Sequence, residues 1–356
     1  MYKLLLCVRY LRTRFLAMIC IASVMLGVAT LIVVNSVMSG FSVKLRDRLH
    51  NMIADVVVES AGLEGFSDPD DKMRRIKEDP YLGPRVEAMA ATVECFAVMQ
   101  YTYPPNGQIF SRPVRLLGID PKMRKDLGGF DEYLMDIAKN RSERANAFAL
   151  PPLVEKAWRD YDAKLLDQQR RQEGLPPPVP VQVHEELPIT PPVPVDQAKQ
   201  VGELPPPVPP LTADQIEPPH GIVVGKLIAG FPDRAIDPKT GKLPLNPKMI
   251  YTLKPDDTVI LLTVKAGGRA EPTYDRFVVV DYFDSGMSEY DSSFVFVDLK
   301  HLQKLRGNEN SVTSIQIKLV EYRDTDEILD HLKALFPFHS IHTWEQKQGP
   351  LLAAID

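Results

Sequence analysis

Cysteine is scarce in this chain, with three in 356 residues. Cys7 and Cys20 lie in or beside an apolar N-terminal segment and Cys95 stands alone, so neither a disulfide framework nor a CxxC metal pair can be drawn. Charge of one sign is also lacking. The net charge is −5, and no basic run stands out beyond RYLRTR at residues 9–14, which leaves nucleic-acid binding without an electrostatic footprint. There is no GxSxG elbow and no HExxH pair. GIVVGKL at residues 221–227 resembles a phosphate loop, but its glycines are one residue too close and Leu227 stands where a magnesium-holding hydroxyl is required. His339 and His342 are three apart with His331 nearby, yet nothing in the pattern supplies the further rigid ligands a metal would need. No credible nucleophile, metal or cofactor site emerges, and the expectation is a protein that is not an enzyme.

Long apolar runs are missing too, with one exception. Residues 15–38 read FLAMICIASVMLGVATLIVVNSVM, free of charge and with Asn35 as the one strongly polar side chain. As a helix this run is about 36 Å long, enough to cross a hydrocarbon core of about 30 Å with tilt. A secretory signal has a shorter apolar region, so the run is read as an uncleaved transmembrane anchor. Lys3, Arg9, Arg12 and Arg14 precede it, whereas Lys44, Arg46 and Arg48 follow with Asp47 among them. That bias slightly favours a cytoplasmic N-terminus. No later window has 18 apolar residues in a row. The rest of the chain therefore lies on one side, the periplasm or exterior if the N-terminus is inside. Ala22, Ser23, Gly27, Ala29, Ser36, Ser39 and Gly40 are small enough for close helix packing in lipid. A plain tether is the other reading.

The remaining length and a 44% apolar content suit a buried core. The helical period continues past the span as a stalk, and ADVVVES at 54–60 reads as a strand. A short helix is expected over 68–77, one or two strands over 86–103, a strand over 112–120 and a polar helix over 153–172. Residues 174–219 then hold 15 prolines in 46 positions, with LPPPVP and PPVPV each occurring twice. Such a tract samples polyproline II and reads as a solvated spacer or insertion, or as a docking site for a proline-recognising domain. Order resumes at Gly221. Residues 222–229 read as a helix or a buried turn-and-helix. Strands are expected at 258–264, 276–283, 294–297, 311–319 and 340–343, and helices at 298–305 and 324–336. This is an α+β order on a mixed or mostly antiparallel sheet.

One acidic stretch invites a chemical reading. FDSGMSEYDSSFVF at 283–296 gathers Asp284, Glu289 and Asp291 with four serines around Gly286. A calcium loop needs carboxylates at alternate positions closed by a glutamate, and this spacing does not provide them. The stretch is expected to be a turn, with Gly286 at positive φ and Asp284, Ser285, Asp291 and Ser292 capping backbone groups.

Several segments carry a family resemblance. RYLRTR, LGVATLIVVNSVMSGF and the strand ending ES resemble the start of the lipoprotein-releasing permeases of the LolC/LolE group, within the MacB/FtsX-like class of ABC transporter permeases. GIVVGKLIA, LKPDDTVILLTV, RFVVVDYFDSGMSEYDSSFVFVDLKHLQKL and TWEQKQGPLLAAI follow in the family's order. The signature turn Ser285, Gly286, Met287, Glu289, Tyr290 and Asp291 is the most specific match. The resemblance covers 1–60 and 221–356. It implies a cytoplasmic N-terminus at 1–14, a transmembrane helix at 15–40, and a stalk with the first part of a periplasmic domain at 41–173. The proline-rich insertion follows at 174–219, with the second part of the domain at 220–343.

The implied role is a non-catalytic permease subunit of the inner membrane. Its implied partners are a separate ATPase that binds ATP, a second permease subunit, lipoprotein cargo, membrane lipid and a periplasmic lipoprotein carrier. Asn35, Met38, Gly40 and Phe41 would meet the lipid anchor in the membrane cavity, or simply pack helices. Residues 265–275 occupy the place of the loop that captures the carrier, making Glu271, Pro272 and Thr273 the candidate contacts. An ordinary hairpin is the other reading. Family members continue into three more membrane helices, so 344–356 is expected to approach a missing second span, the product being truncated, split with a companion chain supplying the rest, or a membrane-anchored remnant. The alternative function is a membrane-anchored periplasmic interaction or regulatory module without transport activity.

Overall fold

The computed structural model describes residues 15–52, 54–60, 62, 64–103, 107–136, 146–172, 219–233, 247–267, 271–322 and 325–349. The proline-rich tract at 174–218 and the terminal residues 350–356 lie outside them. The chain forms two units, one comprising residues 54–344 and the other containing the first helix.

That helix, α1, runs Phe15–Met52 without a break. Its stretch Met18–Lys44 is long and apolar enough to cross a membrane, and its large side chains are exposed throughout, Leu26 and Leu31 at 71%. An apolar helix with every side bare has no protein core to join, which suits lipid as its surroundings. The charged remainder continues the same helix to Met52.

The second unit is built around a nine-stranded sheet. β1 (Val56–Glu59) and the short β2 (Phe66–Ser67) lead to α2 (Pro69–Glu78). Proline at its first position, Asp70 and Asp71 in its first turn and Arg75 and Lys77 in its last match the helix dipole, while Met73 and Ile76 face inward. β3 (Val86–Tyr103) is a single strand of 18 residues, antiparallel to β4 (Gln108–Ile119). Asp120 then accepts from the Lys122 backbone N–H at 2.8 Å and caps α3 (Pro121–Leu127). α4 (Pro152–Gln172) follows.

After the undescribed tract, β5 (His220–Gly225) runs into the one-turn α5 (Lys226–Ala229). This corrects the helical reading for 222–225, while 226–229 is helical as expected. Ile222, Val223 and Val224 are all fully buried, and a short β-branched run between covered faces makes a central strand. β6 (Gly230–Pro232) and β7 (Met249–Tyr251) form a small ribbon. β8 (Thr258–Val264) and β9 (Pro272–Phe283) make the expected hairpin, although β9 begins four residues earlier than the apolar pattern indicated. α6 (Ser288–Asp291), β10 (Phe294–Asp298) and α7 (Leu299–Leu305) come next, with Asp298 capping α7 at the His301 N–H. The 311–319 strand is two pieces, β11 (Ser311–Val312) and β12 (Ser314–Leu319), broken at Thr313. α8 (Thr325–Leu335), β13 (Ser340–Thr343) and α9 (Trp344–Lys347) complete the unit.

The strand order is β13-β1-β12-β3-β4-β10-β5-β9-β8, and β8 also pairs with β3. That second pairing closes β3, β4, β10, β5, β9 and β8 into a six-stranded barrel. The first half of β3 instead belongs to an open sheet with β12, β1 and the edge strand β13. β3 serves both because its free side changes partner: residues 86–92 pair with β12 and 98–100 with β8. Between them two threonine hydroxyls replace strand partners. Thr313 Oγ1 accepts from the Glu94 N–H at 2.7 Å, and Thr263 Oγ1 donates to the Phe96 carbonyl at 2.9 Å. Backbone groups at such a fork must be paired by something, and a short hydroxyl side chain fits the gap.

One contiguous core runs from Val56, Val58 and Ile317 of the open sheet, under Ile76 and Leu332, to Val224, Leu261 and Phe277 of the barrel. Burying a side chain such as Leu332 contributes about 1.5–3 kcal/mol. α3 covers the other face of the open sheet, where Leu127 and Met123 meet Ala54 and Ala90, and the Arg124 guanidinium donates to Gln316. Burial pushes the Arg124 guanidinium down to about 10, still charged at neutral pH.

Candidate functional site

Two segments singled out in the sequence, the phosphate-loop look-alike and the acidic turn, fold into one construction. β9 ends at Phe283, and the chain turns through Gly286 at φ 71°, the left-handed region that glycine adopts without penalty. Asp284 Oδ1 accepts from the Gly286 N–H at 3.3 Å, and the Met287 N–H donates to Ser285 Oγ at 3.1 Å. Asp291 is 3% exposed, and its Oδ1 accepts from both the Ser285 N–H at 2.8 Å and Ser285 Oγ at 2.7 Å. Burial pushes the Asp291 carboxyl up, against those two hydrogen bonds. Ser292 and Ser293 donate their hydroxyls to the Glu289 carbonyl. The capping expected of Asp284, Ser285 and Asp291 is present, whereas Ser292 ties back onto α6.

The look-alike loop supplies the other wall. Lys226 Nζ lies 2.6 Å from Asp284 Oδ2, and that hydrogen bond raises the lysine's pKa. Gly225 lies against the turn itself: a Cβ there would sit 2.3 Å from the Asp291 carbonyl oxygen and 3.1 Å from that of Phe294. The second glycine and lysine of GIVVGKL are thus spent on packing and pairing with the SGM turn, with no phosphate cradle. Sequence reading kept the two segments apart. A lysine and an aspartate 58 positions from one another carry no linear signal of contact. Tyr282 lies beneath, stacked on Tyr251 at 4.8 Å, and its hydroxyl donates to the Leu253 carbonyl at 2.5 Å. Burial raises the Tyr282 phenol, and raises that of Tyr290 to about 12. The Asp284, Ser285 and Asp291 side chains are hydrogen-bonded within this construction. The arrangement can stabilise a corner of the barrel.

The remaining candidates lie elsewhere. Pro272 and Thr273 are strand residues of β9, opposite Val264 and Thr263. Glu271 faces Lys265 at 3.3 Å across the mouth of the connection, and both are exposed. The loop is therefore shorter than the 265–275 expected, because the ladder reaches down to Pro272. Phe96, Val98 and Val264 are exposed on the outer face beside it, at 75%, 39% and 44%. On α1, Asn35 and Met38 are three apart and share a face, while Phe41 lies further round and Gly40 on the far side. The four do not form one stripe. The three histidines occupy separate settings. His331 meets the Tyr81 ring at 3.9 Å, His339 lies between Phe66 and Phe336, and His342 Nε2 is 2.7 Å from Ser340 Oγ. Among the described residues no group of three or more His, Cys, Asp or Glu could hold a metal ion.

A further feature escaped the sequence reading. Val56 of β1 lies opposite Thr343 of β13, and the Trp344 N–H donates to the Asp55 carbonyl at 3.1 Å. Asp55 Oδ2 also accepts from the Leu319 N–H at 2.7 Å. Residues 54–344 therefore begin and end side by side, fastened by Asp55.

Together these observations define a mixed α+β domain, part closed barrel and part open sheet, that follows one helix of membrane-spanning length. No protein-family model matches the sequence, and no curated protein matches it. Among solved structures, the periplasmic region of MacB from Actinobacillus actinomycetemcomitans is similar at TM-score 0.34 and 8% identity, over 83% of this chain and 91% of that one.

Proposed function

We propose that this chain is the N-terminal part of a non-catalytic permease subunit of an ABC transporter, anchored in the inner membrane by α1 with residues 54–344 in the periplasm. The observation that carries the reading is the adjacency of the two ends. The chain enters the domain at Ala54 and leaves it at Trp344, where the Trp344 N–H donates to the Asp55 carbonyl, and adjacent ends suit a domain inserted between two membrane segments. The membrane-length helix before it and the order of the matching segments support the same reading. In this proposal a partner ATPase binds ATP and moves the membrane helices. The stalk passes that motion to the domain, and a second permease subunit supplies further membrane helices. Lipoprotein is the proposed cargo, with its lipid anchor near Asn35 and Met38 and a soluble carrier at the β8–β9 hairpin.

Affinity purification of the tagged full chain from cross-linked membranes tests this. Recovery of an ABC ATPase supports transport. Recovery of a cell-wall enzyme without an ATPase overturns it in favour of the anchored regulatory module. Topology is tested separately. With Cys7, Cys20 and Cys95 replaced by serine, a cysteine replacing the exposed Phe338 should react with a membrane-impermeant maleimide in whole spheroplasts, and one replacing Thr13 only after lysis. The reverse pattern removes the periplasmic placement. Changing Glu271–Thr273 to glycine tests the carrier site: unchanged binding of a periplasmic lipoprotein carrier sinks that part alone.

A further inference from the structure

We draw no further inference here: the strongest candidate, the apolar outer face of the barrel where Phe96, Val98 and Val264 stand exposed beside the β8–β9 hairpin, carries nothing because nothing in the structure shows what covers it.

Discussion

Replacing Asp291 with alanine should destabilise the 54–344 unit by about 2–4 kcal/mol. Asp291 Oδ1 is the partner of the Ser285 N–H and of Ser285 Oγ, in a turn where both residues are buried. Each buried donor left without an acceptor costs about 1–3 kcal/mol, and relief from burying the carboxylate offsets part of the sum. For a unit of this size that corresponds to a fall in Tm of about 6–12 °C. Intrinsic fluorescence follows the melt, because Trp158 and Trp344 are both buried. The pH dependence has a definite sign. Asp291 holds its proton to higher pH in the folded chain than at the unfolded value of 3.8. Its contribution is complete below that value and declines as pH rises through the folded one. The loss on Asp291→Ala should therefore grow as the buffer is taken from pH 7 towards pH 4. A double-mutant cycle with Ser285→Ala should give a coupling of at least about 0.5 kcal/mol. If both single variants melt within about 1 °C of the parent, the turn is not the stabilising corner described here.

Other outcomes follow from the same geometry. Lys226→Ala and Asp284→Ala should each lower stability by about 1 kcal/mol, because the pair is only partly exposed and hydrogen-bonded at 2.6 Å. Their double variant should lose less than the two single losses added, and strict additivity would deny the pairing. Leu332→Ala on α8 should cost about 2–5 kcal/mol, since the side chain is 1% exposed in the contiguous core; denaturant titration with a loss below about 1 kcal/mol would show that α8 does not pack there. Asp79 accepts from the Leu82 and Tyr81 N–H groups, which hold its carboxyl below the usual range. Its contribution is present above pH 3.8 and lost as pH falls through the folded value. Asp79→Asn should flatten the acid limb of the stability curve, and an unchanged limb in parallel melts would contradict that.

Much of the architecture was legible in the residues. A 24-residue uncharged run decides a membrane-length helix by itself, since backbone groups in lipid can be satisfied only within the segment. The strands expected at 54–60, 86–103, 258–264, 294–297 and 340–343 are found as β1, β3, β8, β10 and β13, and the helices expected at 68–77 and 324–336 as α2 and α8. Gly286 was legible as a positive-φ turn because aspartate and serine flank it on a strand end. Where sequence reading failed, the lost information was long-range. Residues 222–225 are apolar without alternation, and helix and buried strand look alike in so short a run until neighbours on both sides are known. Pro272 and Thr273 joined β9 because β8 was there to pair with them.

The sequence by itself determined a helix of membrane-spanning length and most of the element types, because each rests on local period, length or a residue's own backbone limits. Tertiary structure alone decided that β3 changes partner and closes a barrel, and that Lys226 and Gly225 lock the acidic turn. It also decided that Ala54 and Trp344 leave the domain side by side. These are contacts between residues tens to hundreds of positions apart, which local pattern does not encode. They are selected by which pairing buries one continuous core and leaves no backbone group unmatched.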